Sequence, residues 1–175
     1  MRNIMASQEE KFMTGLGLSV PRAMLVPEIM RYMHEDAKRR YNVIIGSDSE
    51  LLADKSADFV TAIVVHRVGG GGRYFWRRLE LENFHTLRDR IIREVLLSIE
   101  VAKEFLIELR AADQAAEARG EAPLDWDFEI HADVGEVGET KVMIQEVVGM
   151  IRANNFEAKT KPWSYAASKV ADRHV

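Results

Sequence analysis

The chain of 175 residues contains no cysteine, which excludes disulfides, zinc–thiolate sites and cysteine nucleophiles. It also lacks a long apolar run: the richest stretch, residues 59–65, is far too short to span a bilayer. The first ten residues hold no apolar signal core and no cleavage pattern, so the expectation is a soluble cytoplasmic protein with no membrane partner. Low-complexity tracts, internal repeats and long Pro/Gly/Ser linkers are missing too. Neither sign of charge predominates: 24 Lys+Arg against 28 Asp+Glu leave a net charge of -4, which argues against a broad electrostatic grip on nucleic acid but leaves room for a local basic track. What remains is an ordinary globular composition, 47% hydrophobic and 30% charged, in a chain long enough to bury one full core. The expectation is a single domain over 1–175, with 1–40 as an N-terminal arm and helix.

Residues 1–20 carry little periodicity and read as an arm or turn-rich lead-in. Pro27 suits a first helical turn, and Ile29, Met30, Met33 and Ala37 continue at helical spacing to about residue 39. The near-continuous apolar run 41–46 predicts a central strand covered on both faces. Segments 59–66 and 73–81 are β-branched and rich in strand formers, and Gly69 to Gly72 between them read as a hairpin loop. A long helix is predicted over 86–110, followed by a solvated tail and loop to residue 123. Then come a strand at 126–132, a helix at 140–153, a short strand at 156–160 and a last helix at 164–172. The order predicts an α/β fold with a five-stranded mixed sheet: three N-terminal strands, then α-β-α-β-α, with helices on the faces.

Four acidic residues sit where a charge is locally unexpected. Asp48 ends the apolar central strand. Glu94 lies among Leu87, Ile91, Ser98 and Val101 at spacings of three, four and seven, so it points to the apolar side of its helix, unlike Asp89, Glu100 and Glu104. Asp133 ends the strand that carries His131, and Asp172 lies on a small-residue helix able to approach a sheet closely. If the strands of Asp48 and Asp133 are parallel neighbours, both fall at one C-terminal edge, where open α/β sheets place ligand sites. Clustered carboxylates resist ionisation unless a cation holds them, and an all-oxygen donor set favours Mg²⁺ or Mn²⁺. Two such ions roughly 3.5–4 Å apart suit phosphodiester hydrolysis. Taken singly, each residue has a structural reading: Asp48 as a strand-end turn residue, Asp172 as a surface charge, Glu94 as a partner of Arg90, Asp133 as a turn cap.

The acidic order on this element order resembles the ribonuclease H-like superfamily, and more narrowly the YkuK-type family of bacterial ribonuclease H-like proteins. The resemblance rests on Ile45-Gly46-Ser47-Asp48-Ser49, on Arg90-Ile91-Ile92-Arg93-Glu94-Val95 with Ser98-Ile99-Glu100, on His131-Ala132-Asp133-Val134-Gly135, and on Lys161-Pro162-Trp163-Ser164-Tyr165-Ala166-Ala167-Ser168 through Ala171-Asp172. These stretches span roughly residues 28–173. The resemblance implies a metal-dependent nuclease acting on RNA, DNA or their hybrid, with Asp48 shared by both metals and Glu94, Asp133 and Asp172 completing the site. Glu50 stands where the family pattern has Gln, which adds negative charge nearby.

His131 shares a strand face with Asp133, and reads either as a support for the site or as a satisfied sheet histidine. Ser49 and Lys169 are the other expected supports. Lys159, Lys161 and Lys169 read chiefly as a solvated face, with attraction of a polyanion as the sharper alternative. Arg73-Tyr74-Phe75-Trp76-Arg77-Arg78 interleaves cations and rings, which on a strand reads as packing before base stacking. A different class of function, a non-catalytic ribonuclease H-like module that binds nucleic acid or a protein partner, stands as the alternative. An actin-like ATP-binding protein would need two duplicated domains, for which the chain is too short.

Overall fold

Strand formers dominate the first half of the chain, and the sheet they build decides where every later element lies. The structure, a computed structural model, describes residues 10–175. Two short strands, β1 (Lys11–Thr14) and β2 (Ser19–Pro21), lead into helix α1 (Arg22–His34). Three long strands follow: β3 (Arg40–Leu51), β4 (Ala57–Arg67) and β5 (Gly72–Leu81). The 32-residue helix α2 (Leu87–Ala118) crosses back to β6 (Asp125–His131). A short 3₁₀ turn (Glu139–Met143), helix α3 (Ile144–Ala153) and strand β7 (Glu157–Lys159) come next. The described chain closes with a π-wound segment (Ala166–Ala171) and a 3₁₀ turn (Asp172–His174).

The sheet order is β2-β1-β5-β4-β3-β6-β7. β3, β4 and β5 form an antiparallel meander, and β6 and β7 add in parallel beyond β3. The mixed α/β architecture is as expected; the sheet has seven strands in place of five. The two extra strands lie in 11–21, expected as an arm. There Phe12 is fully buried, and Thr14 Oγ1 accepts from the amides of Leu16 and Leu18 to turn the chain. Their alternation is too short to register as a period. Expectations for residues 1–9 lie outside the described residues.

The two faces of β3 are covered differently. Tyr41, Val43 and Ile45 join Leu25, Ile29 and Met33 of α1, Phe105 and Leu109 of α2, and Val147 and Ile151 of α3 in the main core. Each of these fully buried side chains contributes about 1.5–3 kcal/mol relative to exposure. The opposite face is apolar as well: Ile44 and Val64 pack on Ala166, and Val60 and Ala62 pack on Ala171. The terminal segment is therefore the lid of the second face, which explains the small residues in it. On β5, Phe75 is buried in the main core, while Trp76 stacks on His174 with centroids 4.3 Å apart. Gly69 and Gly71, at φ of 76° and 79°, make the tight β4–β5 connection. Among the described residues no helix is long and apolar enough to cross a membrane.

Candidate functional site

Parallel register places the acidic residues. Gly46 of β3 pairs with His131 at the end of β6, so Asp48, still within β3, and Asp133, two residues past the end of β6, come level at the same rim. Asp48 lies on the β3 face that the terminal segment covers, and there it adjoins the Asp172 carboxyl. Glu94 arrives from the other face. Helix α2 starts at a capping box, in which Thr86 Oγ1 accepts from the Asp89 amide and Asp89 accepts from the Thr86 amide, and two turns later Glu94 is buried over the sheet. Its Oε1 accepts from the Ser49 hydroxyl at 2.6 Å. The Ser49 amide in turn donates to Asp48 Oδ1 at 2.9 Å, so one residue ties both acids together.

Burial raises both acids. Glu94 is pushed up to about 8, first by burial and then by the charges of Asp48 and Asp133; the Ser49 hydrogen bond and Arg90 oppose the rise. Asp48 is pushed up to about 6, again first by burial, with the neighbouring Asp133 and Asp172 carboxyls adding to it and the Ser49 amide opposing. Asp133 binds Lys161 Nζ through Oδ2 at 3.0 Å, while its Oδ1 is buried with no hydrogen-bond partner. Asp172 is exposed and adjoins Asp48, so the quartet has a buried end at Glu94 and an open end at Asp172.

The supports expected from sequence differ in their placement. Ser49 is central, as described. His131 is fully engaged away from the acids: Nδ1 accepts from the Ala166 amide at 3.2 Å, so Nε2 carries the proton and donates to Glu129 at 2.8 Å. It pins the terminal segment and, through it, Asp172. Tyr165 stands edge-on to His131 at 4.9 Å, with its hydroxyl pushed up to about 12 by burial and then by Glu129. Lys169 and Glu50 are exposed.

Two residues play larger parts than their sequence suggests. Arg90, weighed only as a partner of Glu94, donates instead to the Ser49 carbonyl at 2.8 Å and to its hydroxyl at 3.2 Å. It therefore fixes Ser49 and sets a positive charge beside Glu94; its position one turn before Glu94 was the available signal. Lys161, weighed as one of a solvated set, compensates Asp133, a pairing that depends on β7 register and a loop contact and has no local signature. Behind Glu94, the hydroxyls of Ser47, Thr61 and Ser98 form a buried chain of 2.8 Å hydrogen bonds.

All four acids meet at one rim, but as neighbours rather than a closed cage: among the described residues no three His, Asp or Glu side chains form a ready-made metal cluster. The donors nevertheless fit a hard divalent cation. They are all carboxylate oxygens, two of them are held above the ordinary carboxylate range by crowding and burial, and Asp133 Oδ1 has an unsatisfied lone pair.

A family model described as Ribonuclease H-like matches residues 24–175. The chain is 33% identical over 152 residues to the uncharacterized protein YkuK of Bacillus subtilis (strain 168), an overlap covering 85% of this chain and 87% of that protein. No solved structure matches the chain significantly. With the α/β sheet, the shared span and this identity in hand, the chain belongs to the ribonuclease H-like family, in its YkuK-type branch.

Proposed function

We propose that the chain is a metal-dependent nuclease that hydrolyses phosphodiester bonds in nucleic acid. The observation that carries this reading is the convergence of Asp48, Asp133 and Asp172 at one rim with Glu94 buried beneath it. Family membership supports a nucleic-acid-related role in general terms. Asp48, Glu94, Asp133 and Asp172 would hold Mg²⁺ or Mn²⁺, two ions by preference. When bound, such ions lower the pKa of water and neutralise charge on the phosphoryl oxygens.

The chain's own residues prepare this chemistry. Ser49 orients Glu94 and Asp48 through its hydroxyl and amide, and Arg90 locks Ser49 in turn. Glu94 and Asp48, with their affinity for protons raised, would hold the cation as carboxylates, so its binding would be linked to proton loss. His131 holds the terminal segment so that Asp172 stays beside Asp48. Lys161 pairs with Asp133 Oδ2, so Asp133 would hold the cation through its unpartnered Oδ1, with the ammonium beside it available to a substrate phosphate.

The test is cleavage of end-labelled RNA–DNA hybrid, single-stranded and structured substrates with Mn²⁺ and with EDTA. The expected result is Mn²⁺-dependent cutting that Asp48→Asn reduces by about 100-fold or more. Cutting that persists in EDTA, or in Asp48→Asn, contradicts the proposal. One observation favours a second reading, a non-catalytic nucleic-acid-binding module: an ammonium already compensates Asp133. That reading predicts no cutting on any substrate, with binding intact in Asp48→Asn.

A further inference from the structure

Trp163 is 72% exposed, and it differs in this from the chain's other tryptophans. Trp76 lies flat on His174 at 4.3 Å, and Trp126 donates its indole N–H to Asp113 at 2.8 Å. A ring this large left in water has little folding value where it stands. Its backbone is nonetheless well fixed: the Lys161 amide donates to the Val134 carbonyl at 2.8 Å, and the Trp163 amide to the Thr160 carbonyl at 2.8 Å. The turn thus presents the ring from an ordered frame, which lowers the ordering cost of any ligand it meets.

The position of the turn gives the ring its meaning. β7 runs parallel to β6 with Lys159 opposite His131, so residues 160–163 leave the sheet at the rim where Asp133 emerges. The Lys161 ammonium lies 3.0 Å from Asp133, and a Cβ at Gly135 would meet Lys161 Cβ at 2.9 Å, so the two loops are in close contact. Trp163 is two residues from this junction. We infer that the 160–163 turn is a base-stacking platform, on which Trp163 holds an unpaired nucleotide of a single-stranded nucleic acid while Lys161 meets its phosphate. The platform deepens the nuclease reading, on which it rests for the direction of the strand into the rim; the stacking itself needs only the turn.

The chemistry selects this ligand. Every base has a π-face, so one indole stacks any of them, and a lysine beside it supplies the backbone contact. In a duplex both faces of an interior base are already stacked, so the ring discriminates in favour of unpaired strands. Lys161 at the rim and the exposed Lys169 on the terminal segment leave cations available to a phosphate backbone, while Lys159 is paired with Glu157 at 3.5 Å.

The experiment is fluorescence anisotropy with a labelled oligothymidylate of about twelve nucleotides and a duplex of the same length. The full chain is used in EDTA, so that no cleavage intrudes. Trp163→Ala is expected to weaken single-strand binding by about 5- to 100-fold. Trp163→Phe stays within about 3-fold of wild type, and duplex binding changes little in either variant. Unchanged single-strand affinity in Trp163→Ala overturns the inference, as does an equal loss for single strand and duplex. So does sedimentation that shows Trp163→Ala dissolving a dimer, since the ring then serves a second copy of the chain. If Mn²⁺-dependent cutting fails while the Trp163→Ala loss persists, the nuclease reading falls and the platform stands.

Discussion

Glu94 combines almost complete burial with two acidic neighbours, and it is the rim residue whose protonation costs and benefits are largest. Its carboxyl and that of Asp48 bind protons more tightly in the folded chain, near 8 and 6, than their ordinary values of 4.5 and 3.8. The metal-free chain therefore holds this contribution in full below about pH 4 and loses it as pH rises through 6 and then 8. Thermal melts in EDTA should show Tm falling across that window. Glu94→Gln keeps the acceptor for Ser49 and removes the charge, so its Tm should exceed that of wild type by about 3–8 °C at pH 8.5 and converge with it at pH 5. Parallel pH profiles for the two proteins would remove the electrostatic account. Glu94 was legible because a charge at apolar helical spacing is anomalous whatever the tertiary fold. Arg90 and Lys161 were not, because which oxygen a long cation reaches is decided by strand register and loop contact.

Among the elements, α2 and the two loops at the rim govern the geometry. Thr86→Ala removes one half of the capping box and should cost about 1 kcal/mol, visible as a lower urea midpoint with an unchanged slope. Gly135→Ala acts on the rim loops. Its Cβ would lie 2.9 Å from Lys161 Cβ, which is main-chain-proximal and cannot swing aside, so the 160–163 turn must shift. The expected outcome is loss of the Lys161–Asp133 pair, read as a changed Asp133 carboxyl shift by NMR, with a fall in Tm of about 2–6 °C. Element types were readable wherever a period repeats: β3, β4, β5, α2, β6 and α3 all coincide with patterned segments. The exceptions are instructive. The β1–β2 hairpin has a single core side chain, Phe12, and takes its order from pairing with β5. Pro27 reads as a helix start, yet α1 begins at Arg22 and carries the proline inside, held by burial of Leu25, Val26, Ile29 and Met33. The tail of α2 is the solvated helix tail expected from residue 113, exposed in most of its residues to Ala118, with Ala116 buried and Asp113 bound to Trp126 as its anchors.

At the scale of the molecule, one sheet is covered by three α-helices on one face and a short π-wound segment on the other, and the rim between them gathers Asp48, Glu94, Asp133 and Asp172. Parallel adjacency of β3 and β6 was deducible from connection rules, and with it the level placement of Asp48 and Asp133. The central claim is that this rim takes up divalent cations through the quartet. Its most direct measurement is a calorimetric titration of the full chain with Mn²⁺ at pH 7, repeated in buffers of different ionisation heat. The account predicts binding that releases about one proton, chiefly from Glu94, and that is lost in both Asp48→Asn and Asp133→Asn. No binding heat in any buffer, or binding that survives both substitutions, would contradict it.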